Sequence, residues 1–317
     1  MNSLPMHTDA LLAGIEIGGT KLQVVLGGPD GTIRRRQRLA VDRDRGAEGI
    51  RAGIEAIFGD WNVRPAAVGV GFGGPVDWQT GRVATSHQVK GWSGFELGGW
   101  LTGRLGCPVF VENDANVAAL AEATAGAGTS YANVFYITLG SGVGGGLVVD
   151  GRLYHGALPG ETEVGHLRLD RSGTTLESRC SGWAVDGRIR EAIGQHPGST
   201  LAQRVGSTSP GEARFLSPAL AAGDPLAHAI LRETAADLAF GLSHVVHLLH
   251  PEVIILGGGL SLLGEPLRAA VGAQLPPLLM ESFRPGPVIT TARLGEDAVP
   301  VGALVLAGTR FAAGNAR

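Results

Sequence analysis

The sequence predicts an α/β protein of two lobes, each a mixed sheet with flanking helices. Three observations carry that expectation. The chain has 317 residues, more than one compact core usually holds. Buried-type strands alternate with segments of helical period along its length. One arrangement (strand, glycine turn, strand, D-G turn, short strand) occurs twice, around Gly18-Gly19 and around Gly140 to Gly142. The two copies stand too far apart for a solenoid repeat and fit two similar lobes.

The elements follow in order. L-L-A-G-I-E-I-G-G-T-K-L-Q-V-V-L-G-G-P-D-G-T-I reads as strand, Gly-Gly turn, strand, then a P-D-G turn into a third strand. Apolar residues at helical spacing predict a helix from Gly46 to Phe58, and Ala66 to Phe72 is a buried-type strand ending at G-G-P-V-D. A helix is expected from Phe95 to Leu105 and a short strand from Val109 to Val111. E-N-D-A-N-V-A-A-L-A-E then opens a helix capped by Asn113 or Asp114. N-V-F-Y-I-T-L-G-S-G-V-G-G-G-L-V-V-D-G-R-L repeats the first pattern. Beyond it the chain is mostly helical to Glu252, and the long apolar period from Asp224 to His250 stops at Pro251. P-E-V-I-I-L-G-G-G-L is a buried strand running into glycines and another helix, and Val301 to Phe311 is a C-terminal helix of small and apolar residues. No linker or charge run separates independent domains. The lobes are expected at residues 11–116 with 300–317, and at 117–299.

Composition narrows the function. With 26 basic and 29 acidic residues the charge is near balance, so no broad nucleic-acid footprint is expected. The 44% hydrophobic and 17% charged fractions describe a globular protein with well-filled cores. Glycine, at 51 residues, exceeds twice its usual share of about 7%. The glycines cluster without period, which points to tight turns and to backbone that approaches a ligand closely. Cys107 and Cys180 make no disulfide framework and no C-x-x-C pattern, which fits a reducing compartment. M-N-S-L-P-M-H-T-D-A lacks the basic start and apolar run of a secretory signal and reads as a short disordered lead. No apolar stretch reaches the ~18 residues of a bilayer span. The expectation is a cytoplasmic protein with neither membrane nor nucleic acid as partner.

The candidate chemistry sits at the glycine turns. I-E-I-G-G-T-K is neither a G-x-x-x-x-G-K-[ST] loop nor a dinucleotide fingerprint, since a strand follows it. Successive N–H groups of Gly18, Gly19 and Thr20 can still form an anion nest, with Lys21 adding a point charge for phosphate oxygens. Gly140, Ser141 and Gly142 offer the same arrangement. Alone, each turn reads more readily as an ordinary hairpin, since glycine turns are common. Two matched turns and a third at Gly257 to Gly259, each following a buried strand, look like a nucleotide site. E-N-D offers either a general base for a hydroxyl or a routine helix cap. E-T-E-V-G-H offers carboxylates and an imidazole that suit polyol hydroxyls, or a solvated loop. Trp92 is either a sugar-stacking face or, as large aromatics more often are, a packing residue.

The order of these motifs is more specific than any one of them. I-E-I-G-G-T-K, G-G-P-V-D, G-W-x-G-F-x-L, E-N-D-A-N-V-A-A-L-A-E, T-L-G-S-G-V-G-G-G, E-V-G-H and I-I-L-G-G-G run in sequence from about Gly14 to Phe311. The chain in this respect resembles the ROK family of bacterial sugar kinases and repressors. That resemblance implies a two-lobed fold like actin and hexokinase, with nucleotide and sugar in the cleft between the lobes. It implies that Gly18, Gly19, Thr20 and Lys21, with Thr138, Gly140, Ser141 and Gly142, hold the phosphates of ATP. Gly257, Gly258 and Gly259 would lie near the adenosine. Asp114 would be the general base for the sugar 6-hydroxyl. Asn113, Glu163, His166 and Glu177 would bind sugar hydroxyls with backbone at Gly74. Mg²⁺ would arrive with ATP, held largely by phosphate and water, and a homodimer is implied. Family repressors carry an extra N-terminal helix-turn-helix segment. The first phosphate turn here comes too early to leave room for one, so the kinase branch is expected.

Three departures from the family pattern stand out. Glu16 replaces the usual Asp, and S-H-Q-V-K-G-W replaces a T-P-N-L-P-G-W-like stretch, which bears on sugar preference. After His166 the family's C-x-C-x₄-C-L-E zinc motif is missing. Thr175 stands at its last cysteine and Cys180 falls beyond it. Structural zinc needs four nitrogen or sulfur ligands, so no zinc is expected and Cys180 is read as a small packing residue. The expected function is transfer of phosphate from ATP to a hexose, glucose or a near relative. The alternatives are a kinase for an N-acylhexosamine or fructose, another phosphoryl donor such as polyphosphate, or a non-catalytic sugar or sugar-phosphate sensor.

Overall fold

The computed structural model describes residues 10–315 apart from His87, Gln88, Pro159 and Glu161. The N-terminal lead, the centre of S-H-Q-V-K-G-W and the first carboxylate of E-T-E-V-G-H therefore lie outside the described residues. The chain divides into two compact units. One comprises Met1–Thr129, Gly151–Glu161 and Glu296–Arg317, and the other Ser130–Asp150 and Thr162–Gly295.

The first unit opens with an antiparallel run of β1 (Leu12–Ile17), β2 (Lys21–Gly27) and β3 (Ile33–Ala40). Then come α1 (Gly46–Trp61), β4 (Val68–Phe72), the small hairpin β5 (Val76–Asp77) and β6 (Arg82–Val83), α2 (Leu97–Leu105), β7 (Val109–Asn113) and α3 (Asp114–Ala125). The sheet order is β3-β2-β1-β4-β7, with β1, β4 and β7 parallel. The inner strand β4 is apolar without alternation, and β1 is apolar but for Glu16, because both faces are covered. Strand β3, I-R-R-R-Q-R-L-A, is largely exposed at the sheet edge, and its arginines discourage pairing with another strand. Helix α1 buries Ile50, Ile54, Ile57, Phe58 and Trp61 on one face. It stops at Asn62, whose left-handed φ of 49° lets its N–H close on Phe58 and Gly59.

The second unit starts with the hairpin β8 (Asn133–Leu139) and β9 (Val143–Val149). The short strand β10 (Arg152–Leu153) belongs to the segment counted with the first unit. Next come α4 (Leu176–Cys180), α5 (Gly182–Gln195), α6 (Thr200–Val205), α7 (Leu216–Ala221), α8 (Pro225–Leu249), β11 (Val253–Gly257), α9 (Glu265–Gln274) and β12 (Val288–Thr291). Within this unit the sheet runs β9-β8-β11-β12, with β8, β11 and β12 parallel. Each unit thus has a hairpin around a glycine turn whose first strand is followed by parallel neighbours. Helix α8 begins with Asp224 accepting from the N–H groups of Leu226 and Ala227, with Pro225 in its first turn. His250, at φ 45°, ends it just before Pro251.

Helix α10 (Ala298–Asn315) returns to the first unit. A Cβ on Gly302 would lie 2.0 Å from the Val117 carbonyl oxygen, and one on Gly69 would lie 1.9 Å from the Ala303 carbonyl oxygen. Backbone-to-backbone approach of this kind needs glycine. It also accounts for a difference from the expected lobes. Helix α3, assigned from residue 117 onward to the C-terminal lobe, packs in the first unit against α10, which is longer than the Val301 to Phe311 segment. Among the described residues no helix is long and apolar enough to cross a membrane.

Candidate functional site

In the first unit the Gly18–Lys21 turn closes with the Gly18 N–H donating to the Lys21 carbonyl at 3.0 Å. Neighbouring chain braces it: Val41 N–H donates to Thr20 O, Arg43 Nε to Gly19 O, and Gly73 N–H to Ile17 O. Lys21 Nζ lies 3.1 Å from Glu16 Oε1, and Gln23 Nε2 donates to Glu16 Oε2. Burial pushes the Glu16 carboxyl above its ordinary range, opposed by the Lys21 charge. Both Glu16 oxygens are therefore engaged within the protein.

Strand β7 ends where α3 begins, which puts Asn113 and Asp114 at a helix N-terminus. Asn113 Oδ1 accepts from the N–H groups of Ala115 and Asn116 at 2.8 and 3.3 Å, and its Nδ2 donates to Gly74 O at 3.2 Å. Asn113 is thus the cap, tied to the backbone at Gly74. Asp114 Oδ1 accepts from Ala115 N–H at 2.8 Å. A Cβ at Gly73 would lie 3.4 Å from Asp114 Oδ2, 3.6 Å from Gly18 Cα and 3.3 Å from Ile17 O. Gly73 is the seam at which the Asp114 carboxylate meets the first glycine turn.

In the second unit the Gly140–Gly142 turn is held by Gly140 N–H to Gly142 O at 2.9 Å and by Gly182 N–H to Gly140 O at 2.6 Å. Glu177 Oε2 accepts from Val143 N–H at 2.8 Å, and a Cβ on Gly142 would lie 2.6 Å from that oxygen. The glutamate read as a sugar contact also fastens α4 to the turn. Thr138 is paired with Gly144 on one side and Gly257 on the other, so it links the second turn to the third. A Cβ on Gly258, at φ +77°, would lie 2.6 Å from Leu139 backbone atoms.

Glu163 precedes and His166 ends a single 3₁₀ turn, Val164–His166, and both residues are exposed. The turn lies on β9. Thr162 Oγ1 donates to Gly145 O at 2.9 Å, and a Cβ on Gly165 would lie 2.2 Å from Val143 O. The stretch that follows, where the zinc motif is missing, is a compact hairpin. Arg168 bridges Thr175, Leu169 N–H donates to Thr174 O, and Leu176 N–H to Leu167 O. Its tip is organised by Asp170 Oδ1, which accepts from Ser172 Oγ, Gly173 N–H and Thr174 N–H at 2.6, 3.0 and 3.2 Å. Bonds from Ser172 and Thr174 hold this carboxyl below the usual carboxylate range. Thr175 and Ser178 then form a capping box on α4. Among the described residues no group of three or more His, Cys, Asp or Glu side chains is placed to hold a metal ion. Cys180 is fully buried in the apolar core, where burial, followed by the Asp237 charge, pushes its thiol up to about 12.

The second and third turns share a cavity of about 470 Å³. Gly140, Ser141 and Gly259 line it together with Trp183, Arg214 and Leu262. Trp183 and Leu262 are 59% and 82% exposed. Asp186, at the wall, accepts from Gly211 and Ala213 N–H and fixes that loop. The cavity joins a glycine turn suited to phosphate with an apolar mouth suited to a flat base. Glu163 and His166 are not among the residues that line it.

The family model of the ROK family matches residues 12–310. The chain belongs to the ROK family. A glucokinase of Thermotoga maritima is 32% identical over 92% of this chain and 95% of its own length. A glucokinase of Streptomyces coelicolor is 32% identical over 94% of this chain and 97% of its own. A solved ROK family glucokinase from Streptomyces griseus, in complex with glucose and AMPPNP, aligns with a TM-score of 0.82 at 31% identity, covering 94% of this chain and 99% of that one.

Several features of this ROK chain were not expected from its sequence. The Trp183–Leu262 cavity draws on four separated segments, and nothing in any one of them signals it. The Asp170 hairpin did carry a signal, D-R-S-G, a turn signature. Trp92 resolves to packing: it is fully buried, edge-on to Phe72 and Phe95. A further group, Glu112, His155 and Trp78, lies in the first unit beside the Asn113 cap.

Proposed function

We propose that this chain is an ATP-dependent sugar kinase that phosphorylates a hexose, glucose or a close relative, at its 6-hydroxyl. The observation that carries the proposal is the meeting of the Asp114 carboxylate with the first glycine turn at Gly73. It sets a proton acceptor beside backbone suited to phosphate. In this reading Asp114 takes the proton of the 6-hydroxyl. The sugar oxygen forms its bond to the γ-phosphorus, and the bond to the β–γ bridging oxygen breaks to release ADP. Catalysis of this kind rests mainly on positioning and electrostatics.

Gly18, Gly19 and Thr20 in the first unit, and Gly140, Ser141 and Gly142 in the second, supply N–H groups for phosphate oxygens. Lys21 contributes its charge while paired with Glu16. Thr138 and Gly257 to Gly259 shape the nucleotide site, where Trp183 and Leu262 flank the base. Asn113 and the Gly74 backbone in the first unit, and Glu163, His166 and Glu177 in the second, engage sugar hydroxyls. Mg²⁺ carried in on the phosphates of ATP would supply positive charge against the charge that develops there. Because Glu16 is engaged by Lys21 and Gln23, that ion would be held chiefly by phosphate and water.

The test is a coupled ADP-release assay across hexoses and N-acylhexosamines, with ATP and polyphosphate as donors. Glucose or a near relative with Mg·ATP is expected to turn over fastest. No turnover with any sugar at high enzyme concentration would overturn the proposal in favour of a sensor.

A further inference from the structure

The Glu112 carboxylate is 2% exposed and fully partnered. Its Oε1 accepts from Asn113 N–H at 2.9 Å and from Asn116 Nδ2 at 3.1 Å, and its Oε2 meets His155 Nε2 at 2.7 Å. A bond between an imidazole nitrogen and a carboxylate oxygen forms with Nε2–H as the donor and Oε2 as the acceptor. His155 in turn stacks on Trp78, with ring centroids 4.2 Å apart at 23°, and the Arg310 guanidinium lies 4.8 Å from the Trp78 ring. His155 belongs to the segment Gly151–Glu161, which in sequence runs directly into the Glu163 and His166 turn.

This group sits behind the residues that matter most. Glu112 fixes the N–H of Asn113 and the side chain of Asn116, and Asn113 caps α3 and binds Gly74. The orientation of the β7–α3 junction, and so of Asp114, is set by where the Glu112 carboxylate points. A buried carboxylate holds one direction only while its partners hold it. A cavity of about 250 Å³, lined by Trp78, Phe110, Glu112 and Arg310, adjoins the pair. A carboxylate released by His155 has room there to turn away from the junction, with a guanidinium to turn towards.

We propose that His155 is a positioning residue for phosphoryl transfer: through Glu112 it holds the Asn113–Asp114 junction in its reactive geometry. This rests on the kinase reading above. In His155→Phe, which keeps a ring for Trp78 but loses the N–H donor, kcat is expected to fall at least tenfold. KM for ATP is expected to stay within twofold. His155→Gln sets an amide N–H near the position of Nε2 and should restore kcat to within about threefold of the parent. His155→Asn, whose shorter arm does not reach Glu112, should remain impaired. Unchanged kcat in His155→Phe overturns the proposal. If that variant does not fold, equal kcat in the Gln and Asn variants overturns it. Failure of the kinase reading is distinct, because the parent chain itself would then release no ADP.

Discussion

Gly165→Ala is the sharpest perturbation of the sugar-side residues. The added Cβ would sit 2.2 Å from Val143 O, 3.1 Å from Val143 C and 3.3 Å from Val143 Cβ. Ordinary contact begins at 3.4 Å, so the turn must lift from β9 by roughly 1 Å. The obstacle is backbone, which has no rotamer to change. The Val143 N–H of that same residue is bonded to Glu177, so β9 cannot retreat without loosening the second glycine turn. The lift carries Glu163 and His166 with it, since they flank Gly165. A displacement of about 1 Å in a positioning residue lowers rate by about 100-fold, and overpacking of this kind costs about 1–3 kcal/mol in stability. The assay is steady-state ADP release with varied sugar at saturating Mg·ATP, beside a thermal melt. The expected result is a fall of about two orders of magnitude in kcat/KM for sugar and a lower Tm. Gly194→Ala in α5 is the control. Nothing lies within 4 Å of its added Cβ, and it should stabilise the protein by about 0.5–1 kcal/mol with unchanged kinetics. Parental kcat/KM for sugar in Gly165→Ala would refute the assignment of this turn to the sugar.

Other outcomes follow from the same geometry. Asp170→Ala removes the acceptor that organises the hairpin after His166, so sugar KM should rise several-fold with ATP KM unchanged. Asp170→Asn keeps an acceptor oxygen and should behave as the parent, and identical kinetics for the two variants would contradict the turn's role. Trp183→Ala should weaken Mg·ATP about tenfold, within the range of base–aromatic stacking, as read by calorimetry with a non-hydrolysable analogue; no change would remove Trp183 from the base site. Glu16 is raised above its ordinary 4.5 by burial, opposed by the Lys21 charge, so between 4.5 and the folded value the folded state keeps a proton that the unfolded state has lost. Its contribution is fully present below 4.5 and declines as pH rises through the folded value. Glu16→Gln removes that decline, so its Tm relative to the parent should be more favourable at pH 7 than at pH 4, and an equal difference at both would contradict the burial argument.

Local chemistry made much of this molecule readable in its sequence. The β1–β2 and β8–β9 hairpins are announced by glycine turns between apolar strands. Helix α8 is announced by a sustained apolar period between Asp224 and Pro251, and the Asn113 cap by E-N-D before an alanine-rich run. Strand β12, V-I-T-T, was not readable, because four residues carry too little pattern and its strandness depends on pairing with β11. The two-residue strands β5 and β6 were missed for the same reason. The Glu112–His155 pair joins residues 43 apart in sequence, and only the fold makes them neighbours. Lys21 read as a free point charge, yet its partner Glu16 comes from across the hairpin. The missing cysteines after His166 were plain, but not that Asp170, Ser172 and Thr174 close the loop with hydrogen bonds.

The role of Asp114 is tested most directly by pairing turnover with sugar binding in Asp114→Asn. The variant keeps the shape and the helix-end position but cannot take the proton. Turnover is expected to fall at least 100-fold, while glucose affinity by calorimetry stays within about threefold of the parent. Parental turnover in Asp114→Asn would contradict the assignment of the general base and, with it, the reading of the Gly73 seam.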